Sequence, residues 1–188
     1  LGDLRSSLKL LFKHLNFKER KPWFDELNAL RREQPLRYPA EGLQAQYVID
    51  RIRELTQGKA IVTTDVGQHQ MWTAQFYSFA EPRHFLTSGG LGTMGFGLPA
   101  AIGAQVANPN EEVWCISGDG SIIMNIQELV TGKRLGTPVK VAIMNNMHLG
   151  MVRQWQEMFY QKQYSEVDLS DNPDFAKVAE AFGCHGLT

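Results

Sequence analysis

Three short segments of the chain combine residue types that can hold an anion together with a hard cation: Asp65-Val66-Gly67-Gln68-His69, Gly118-Asp119-Gly120-Ser121 and Asn145-Asn146-Met147-His148. Gly118 and Gly120 let the backbone approach a ligand closely, and Ser121 opens an expected helix whose free N–H groups favour phosphate. Asp119 offers a carboxylate oxygen and Asn146 an amide oxygen. With phosphate oxygens and a backbone carbonyl, these would complete the octahedral oxygen shell that Mg²⁺ prefers. In outline this is a diphosphate–Mg²⁺ site. Each segment alone also reads as a turn, since Gly-Asp-Gly-Ser is turn-forming and Asn-Asn can end a strand. The pair is much more specific, because 27 residues and one intervening helix separate Asp119 from Asn146.

Such residues need strands to present them. Residues 60–64, 113–117 and 139–144 are short apolar runs that read as buried strands, and each ends just before one of the three segments. Apolar spacing predicts helices carrying Leu43, Tyr47, Ile49, Ile52 and Leu55 (ended by Gly58), at 70–79, at 99–107, and from Ser121 to about Leu135. Asn172 as N-cap, Pro173 at the first helical position, apolar Phe175, Val178 and Phe182, and Gly183 past the end define a last helix. Buried strands alternating with helices imply an α/β fold, a doubly wound parallel sheet with helices on both faces. Ligands of such sheets bind beyond the carboxyl ends of the strands. A further strand is expected after the last helix, so the sheet reads as truncated at its C-terminus, and the start at Leu1 suggests an excised piece.

Residues 1–40 read as a separate helical segment, the tail of a preceding domain and a linker, with 41–188 as the binding domain. Leu4, Leu8, Leu11 and Leu15 recur at helical spacing, as do Phe24, Leu27 and Leu30 after Pro22, and Pro35 and Pro39 end the pattern. The segment is net basic and the remainder net acidic. The whole chain, 188 residues with 43% hydrophobic and 21% charged side chains, has the size and balance of one globular domain. A net charge of −1 leaves no electrostatic footprint for nucleic acid or an anionic membrane, and no apolar run approaches a bilayer span. Cys115 and Cys184 form neither a CxxC pair nor a disulfide framework, which fits a reducing compartment.

The run from Gly118-Asp119-Gly120-Ser121 to Asn145-Asn146 resembles the signature of thiamine-diphosphate (ThDP) enzymes. Further segments, Val66-Gly67-Gln68-His69-Gln70-Met71-Trp72, Ser88-Gly89-Gly90-Leu91-Gly92-Thr93-Met94-Gly95, Met124-Asn125-Ile126-Gln127-Glu128-Leu129 and His148-Leu149-Gly150-Met151-Val152-Arg153-Gln154-Trp155, are similar to the large subunit of acetohydroxyacid (acetolactate) synthase. The resemblance implies that Asp119, Asn146 and the His148 carbonyl hold Mg²⁺. It places Gly118, Gly120, Ser121, Gln68 and His69 on the diphosphate and adds Val66, Gly67, Leu149, Gly150 and Met151 to the cofactor contacts. Gly92 and Met94 would hold the aminopyrimidine, Met94 forcing the bent cofactor shape that makes proton removal from the thiazolium carbon intramolecular. Met151, Val152 and Trp155 would meet the substrates, Trp155 favouring 2-ketobutyrate over pyruvate as the second 2-keto acid.

The implied activity is decarboxylation of pyruvate and condensation with a second 2-keto acid, in branched-chain amino-acid biosynthesis. The activating glutamate belongs, in that family, to an N-terminal domain of a partner subunit, and most FAD contacts to a middle domain. The isolated chain is therefore expected to carry no catalytic residue and to be an inert half-site. Full-length chains would form a homodimer or tetramer with a possible regulatory small subunit, in the cytoplasm or, in a eukaryote, the plastid or mitochondrial matrix. Ile122-Ile123 departs from the family pattern, where an aromatic and a polar residue are commoner, which touches helix packing rather than a ligand.

Other readings compete. Another ThDP-dependent decarboxylase, oxidase or carboligase shares the signature. Gly90-x-Gly92-x-x-Gly95 satisfies the dinucleotide fingerprint of a nicotinamide-linked dehydrogenase, but residues 84–87 make a poor strand before it, and Asp119, at the end of the next good one, already reads as a metal ligand. Gly132-Lys133 lacks the upstream glycine of a P-loop, and His14, His84 and His185 have no second ligand at metal spacing.

Overall fold

The computed structural model describes residues 2–16 and 18–188. The chain forms two units, Leu1–Arg37 and Tyr38–Thr188. In the first, α1 (Leu4–His14) is capped by Asp3, whose carboxylate accepts from the Ser6 N–H at 2.7 Å, and α2 (Lys21–Glu33) begins with proline in its first turn. An exposed Lys21–Asp25 ion pair, one turn apart, adds a few tenths of a kcal/mol to α2.

In the second unit, β-branched and apolar runs form four strands: β1 (Ile61–Thr64), β2 (Phe85–Thr87), β3 (Val113–Gly118) and β4 (Lys140–Met144). They make one parallel sheet in the order β2-β1-β3-β4. Alternation along the strands sends their side chains to two cores. Ile61, Val113 and Cys115 pack with Leu98, Ala101 and Ile102 of α5 (Gly97–Ala107). Val62 and Ile116 pack on the opposite face with Ile49 and Ile52 of α3 (Ala45–Thr56) and with Trp72 and Phe76 of α4 (Gln68–Phe76). The sheet is thus doubly wound with helices on both faces. Among the described residues no helix is long and apolar enough to cross a membrane.

Strand order reverses direction between β1 and β3, since β2 lies outside one and β4 outside the other. A crevice opens at the carboxyl ends of such neighbours. Register brings these ends level: Thr64 pairs with Ile116, and Gly118 with Met144. The buried carboxylate of Asp65 ties the crevice floor together, accepting from the Gly97 N–H at 2.8 Å and from Ser117 Oγ at 2.5 Å.

Several elements differ from their sequence pattern, each for a local reason. Helix α4 starts at Gln68 and stops at Phe76, because Tyr77 turns into the core, where its hydroxyl meets Thr56 Oγ1 at 2.7 Å. Helix α5 begins at Gly97, two residues before Pro99, where Asp65 receives its first N–H. Residues 85–87 are a true edge strand, so the weak-strand objection to the dinucleotide fingerprint fails; what stands against it is the placement of Asp119. The expected long helix after Ser121 is broken into α6 (Asp119–Ile122), a 3₁₀ stretch (Ile123–Glu128) and α7 (Leu129–Leu135). Asn125 leaves helical geometry there, and its side-chain amide donates to the Gly95 carbonyl at 2.8 Å. Helix α8 spans Gly150–Phe159. The last helix, α9 (Phe175–Ala181), is capped not by Asn172 but by Asp174, which accepts from the Lys177 N–H at 3.2 Å, and Gly183 follows its end with φ +75°. Asn172 and Pro173 lie before it.

Two buried titratable groups give direct tests. Burial pushes the Cys115 thiol up to about 12, whereas Cys184 is only half-buried. A thiol reagent should therefore titrate Cys184 alone in the folded chain and both cysteines after unfolding. A Cys115 that reacts equally fast in both states would contradict the packing. The His69 ring is wedged between Gly67 and Gly118, and burial lowers its pKa to about 4 against the pull of the nearby Asp65. The unfolded chain protonates near the ordinary 6.5, so stability present above that pH is lost as pH falls towards 4, by a few kcal/mol. Denaturant unfolding across this range should show the loss, and His69→Asn should flatten it; an unchanged slope in the variant would refute it.

Candidate functional site

The three loops that leave β1, β3 and β4 enclose a cavity of about 200 Å³. Val66, Gly67, Gln68 and His69 line it from the first loop and the start of α4, and Gly118, Asp119, Gly120 and Ser121 from the turn into α6. Asn146, His148, Leu149, Gly150, Met151 and Val152 contribute from the third loop and α8, and Gly92 and Met94 from the glycine-rich turn after β2. Trp155 does not join them. It lies 60% exposed on α8, edge-on to Phe159 with ring centroids 6.3 Å apart. Trp72 and Met144 also line the cavity, and nothing in their spacing distinguishes them from core residues.

Hydrogen bonds join the loops to one another. Ser121 Oγ donates to the Val66 carbonyl at 3.1 Å, linking the turn after β3 to the one after β1. Gln68 Nε2 donates to Gln154 Oε1 at 2.9 Å, while the Asn146 amide reaches Gln68 Oε1 at 3.5 Å. Asn146 Oδ1 accepts from the His148 N–H at 3.1 Å. The His148 ring contacts the Asn146 carbonyl at 2.8 Å and the Arg153 guanidinium, which itself lies over the Tyr164 ring.

Two glycines sit where neighbouring side chains come close. A Cβ on Gly118 would stand 2.8 Å from His69 Nδ1, and one on Gly120 would stand 2.7 Å from Leu149 Cδ2 and 3.0 Å from Leu169 Cδ1. Between them Asp119 is 2% exposed. Burial raises its carboxyl pKa, opposed by N–H groups of Gly120, Asp119 itself and Met147 and by His148. Asn172 Nδ2 donates to its Oδ2 at 3.1 Å.

The cavity lining holds one acidic side chain and no lysine or arginine. An anion bound here would need its charge met by backbone N–H groups and a cation. Among the described residues no three His, Cys, Asp or Glu side chains form a metal cluster. The lining does offer hard oxygen donors, the Asp119 carboxylate and the Asn146 amide oxygen among them, beside the imidazoles of His69 and His148, and with main-chain carbonyls and a phosphate ligand such oxygens suit Mg²⁺.

Two residues escaped the sequence reading. Asp65 begins the first motif, and its role as the acceptor at the start of α5 is hidden because Gly97 lies 32 residues away. Asn172 shares a three-residue window with Asp174, and both are good N-caps.

A family model described as "Thiamine pyrophosphate enzyme, C-terminal TPP binding domain" matches residues 65–188. The large subunit of acetolactate synthase isozyme 2 of Escherichia coli (strain K12) is 51% identical over 187 residues, covering 98% of this chain and 34% of that protein. Acetolactate synthase 2, chloroplastic, of Brassica napus is 56% identical over 156 residues, covering 81% of this chain and 24% of that protein. The mitochondrial acetolactate synthase catalytic subunit of Saccharomyces cerevisiae is 47% identical over 194 residues, covering 99% and 28%. The chain spans about a third of the length of these relatives or less. With the matched segment running from the Asp65 loop through all three cavity-forming turns, the chain belongs to the thiamine pyrophosphate enzymes and carries their C-terminal TPP-binding domain.

Proposed function

We propose that this chain is the cofactor-binding part of an acetolactate synthase, which decarboxylates pyruvate and joins the product to a second 2-keto acid, pyruvate or 2-ketobutyrate. The observation that carries this reading is the meeting of Asp119 and Asn146 at one cavity, in a chain about half identical to acetolactate synthases over nearly all its length. Three features fit ThDP with Mg²⁺. Asp119 and Asn146 offer hard oxygen donors, the glycines at 118 and 120 bring backbone to the cavity wall, and His69 Nε2 is buried there without a hydrogen-bond partner.

In this reading Asp119, Asn146 and the His148 carbonyl hold Mg²⁺, and Gly118, Gly120, Ser121, Gln68 and His69 contact the diphosphate. Val66, Gly67, Leu149, Gly150 and Met151 complete the cofactor wall. Gly92 and Met94, which line the cavity from the glycine-rich turn, would hold the aminopyrimidine, the Gly92 carbonyl as a hydrogen-bond acceptor and the Met94 side chain by packing. When bound, ThDP supplies a nucleophilic carbon and an electron sink for decarboxylation. The protein's share is orientation, which for well-placed groups is worth several kcal/mol. Neutral His69 can accept or donate a hydrogen bond without adding charge beside the diphosphate. Met151, Val152 and Trp155 face the substrates, with Trp155 entering the site only alongside groups outside this chain.

The proposal extends to FAD held mainly by other parts of the full-length protein, to a homodimer or tetramer with a possible regulatory small subunit, and to a cytoplasmic, plastid or mitochondrial-matrix location. The activating glutamate comes from a partner subunit, and the chain by itself is inactive. Acetolactate formation from pyruvate by the full-length protein with ThDP, Mg²⁺ and FAD tests the reading; release of acetaldehyde or acetyl phosphate alone would favour a decarboxylase or oxidase instead.

Two substitutions in the full-length protein probe the assigned roles. Asp119→Ala should abolish Mg²⁺-dependent ThDP binding by calorimetry, because it removes the only anionic side chain in the lining, and unchanged binding would refute the metal assignment. Trp155→Leu should lower the preference for 2-ketobutyrate over pyruvate by about tenfold, the scale of one methylene in an apolar pocket. Decarboxylation of the first pyruvate should persist, and an unaltered product ratio would count against the pocket role.

A further inference from the structure

Residues 167–172 run alongside the third cavity loop without lining the cavity. The Leu149 N–H donates to the Val167 carbonyl at 2.9 Å, and the Leu169 N–H donates to the Met147 carbonyl at 2.8 Å. His148 and Asp168 are therefore an antiparallel bridge pair. In this pattern the neighbours of the bridged residue make the hydrogen bonds, and its own N–H and C=O point away from the partner strand. The His148 N–H accordingly reaches Asn146 Oδ1 at 3.1 Å, and the bridge geometry aims its carbonyl away from residues 167–169 as well. An amide oxygen has two lone pairs, so Asn146 Oδ1 keeps one free. Val167, 4% exposed, anchors the segment, and Leu169 covers Gly120. After a turn closed by the Asn172 N–H to the Leu169 carbonyl at 3.1 Å, the Asn172 side chain reaches back to Asp119 Oδ2 at 3.1 Å.

We propose that residues 167–172 are a clasp that sets the three oxygen donors of the metal site, and that Asn172 is the positioning residue of Asp119. This rests on the metal reading given under Proposed function. Asn172 occupies one oxygen of the carboxylate with a neutral donor, which fixes the plane of the group and leaves its charge available to a cation. A lysine in the same place would neutralise it. The bridge does the same for the His148 carbonyl, and the His148 N–H does it for Asn146. Removing a hydrogen-bond partner that orients a metal ligand typically changes metal affinity 10- to 100-fold. The clasp also explains why Asn172 does not cap α9: its amide is committed 53 residues away, and Asp174 caps in its place.

The test is a Mn²⁺ titration of the full-length protein with ThDP present, followed by electron paramagnetic resonance, together with thermal unfolding of the metal-free protein. Asn172→Ala removes the donor, and Asn172→Leu removes it at nearly constant volume, so a variant that fails to fold does not end the test. Each should raise the Mn²⁺ dissociation constant about 10- to 100-fold, a larger change than any shift in metal-free stability accounts for. A dissociation constant within about twofold of the parent's, with or without a lower unfolding temperature, would overturn the clasp and leave the metal site standing. If the parent protein itself bound no Mn²⁺ with ThDP, the underlying reading would fall, and the clasp with it.

Discussion

The site depends on one buried carboxylate. Asp65 is fully buried at the end of β1, where it accepts from Ser117 Oγ on β3 and from the first N–H of α5, while Thr63 donates its hydroxyl to the Gly97 carbonyl at 2.8 Å. A hydrogen bond to a charged group contributes about 1.5–3 kcal/mol, and leaving such a group unpaired costs at least as much. Three elements are thus held at one point, and that point is the switch in strand order. Gly97 has no side chain for a steric reason: a Cβ there would lie 2.9 Å from the Asp65 N–H nitrogen and carboxylate. Fixing Gly97 also fixes where the glycine-rich turn ends, and so where Gly92 and Met94 reach the cavity.

Above this floor the electrostatic design is spare. The lining offers one carboxylate and no cationic side chain, so the near-neutral charge of the whole chain has a local counterpart. A diphosphate held here would have its charge met by a divalent ion and by main-chain N–H groups, which is why close backbone approach at Gly118 and Gly120 matters more than any basic patch. His69 fits the same logic, since its burial keeps the ring neutral near pH 7. The loops are bound to one another by side-chain amides and a hydroxyl, Gln68, Asn146, Gln154 and Ser121, which carry no charge of their own.

Strands β1, β3 and β4 were legible in the sequence because a parallel sheet covered on both faces needs uninterrupted apolar runs. The three loops were legible because only a few residue types serve close approach and hard-cation binding. What was hidden depended on distant partners. Phe85–Thr87 is too short to announce itself and is a strand because β1 offers it an edge. The helix after Ser121 breaks at Asn125, whose amide is drawn to a carbonyl 30 residues earlier. Asn172 and Asp174 are equivalent caps on paper, and only the position of Asp119 decides between them. Trp155, assigned to the site by resemblance, stays outside the cavity that this chain forms and is 60% exposed.

If the ends of β1, β3 and β4 converge to hold a metal-bound diphosphate, a crystal structure of the full-length protein grown with ThDP and Mn²⁺ will show it in the anomalous scattering. An anomalous peak is expected about 2 Å from an Asp119 carboxylate oxygen, Asn146 Oδ1 and the His148 carbonyl, with the diphosphate completing the shell. A peak outside the reach of these three oxygens, or a cofactor bound without metal between its phosphates and Asp119, would contradict it.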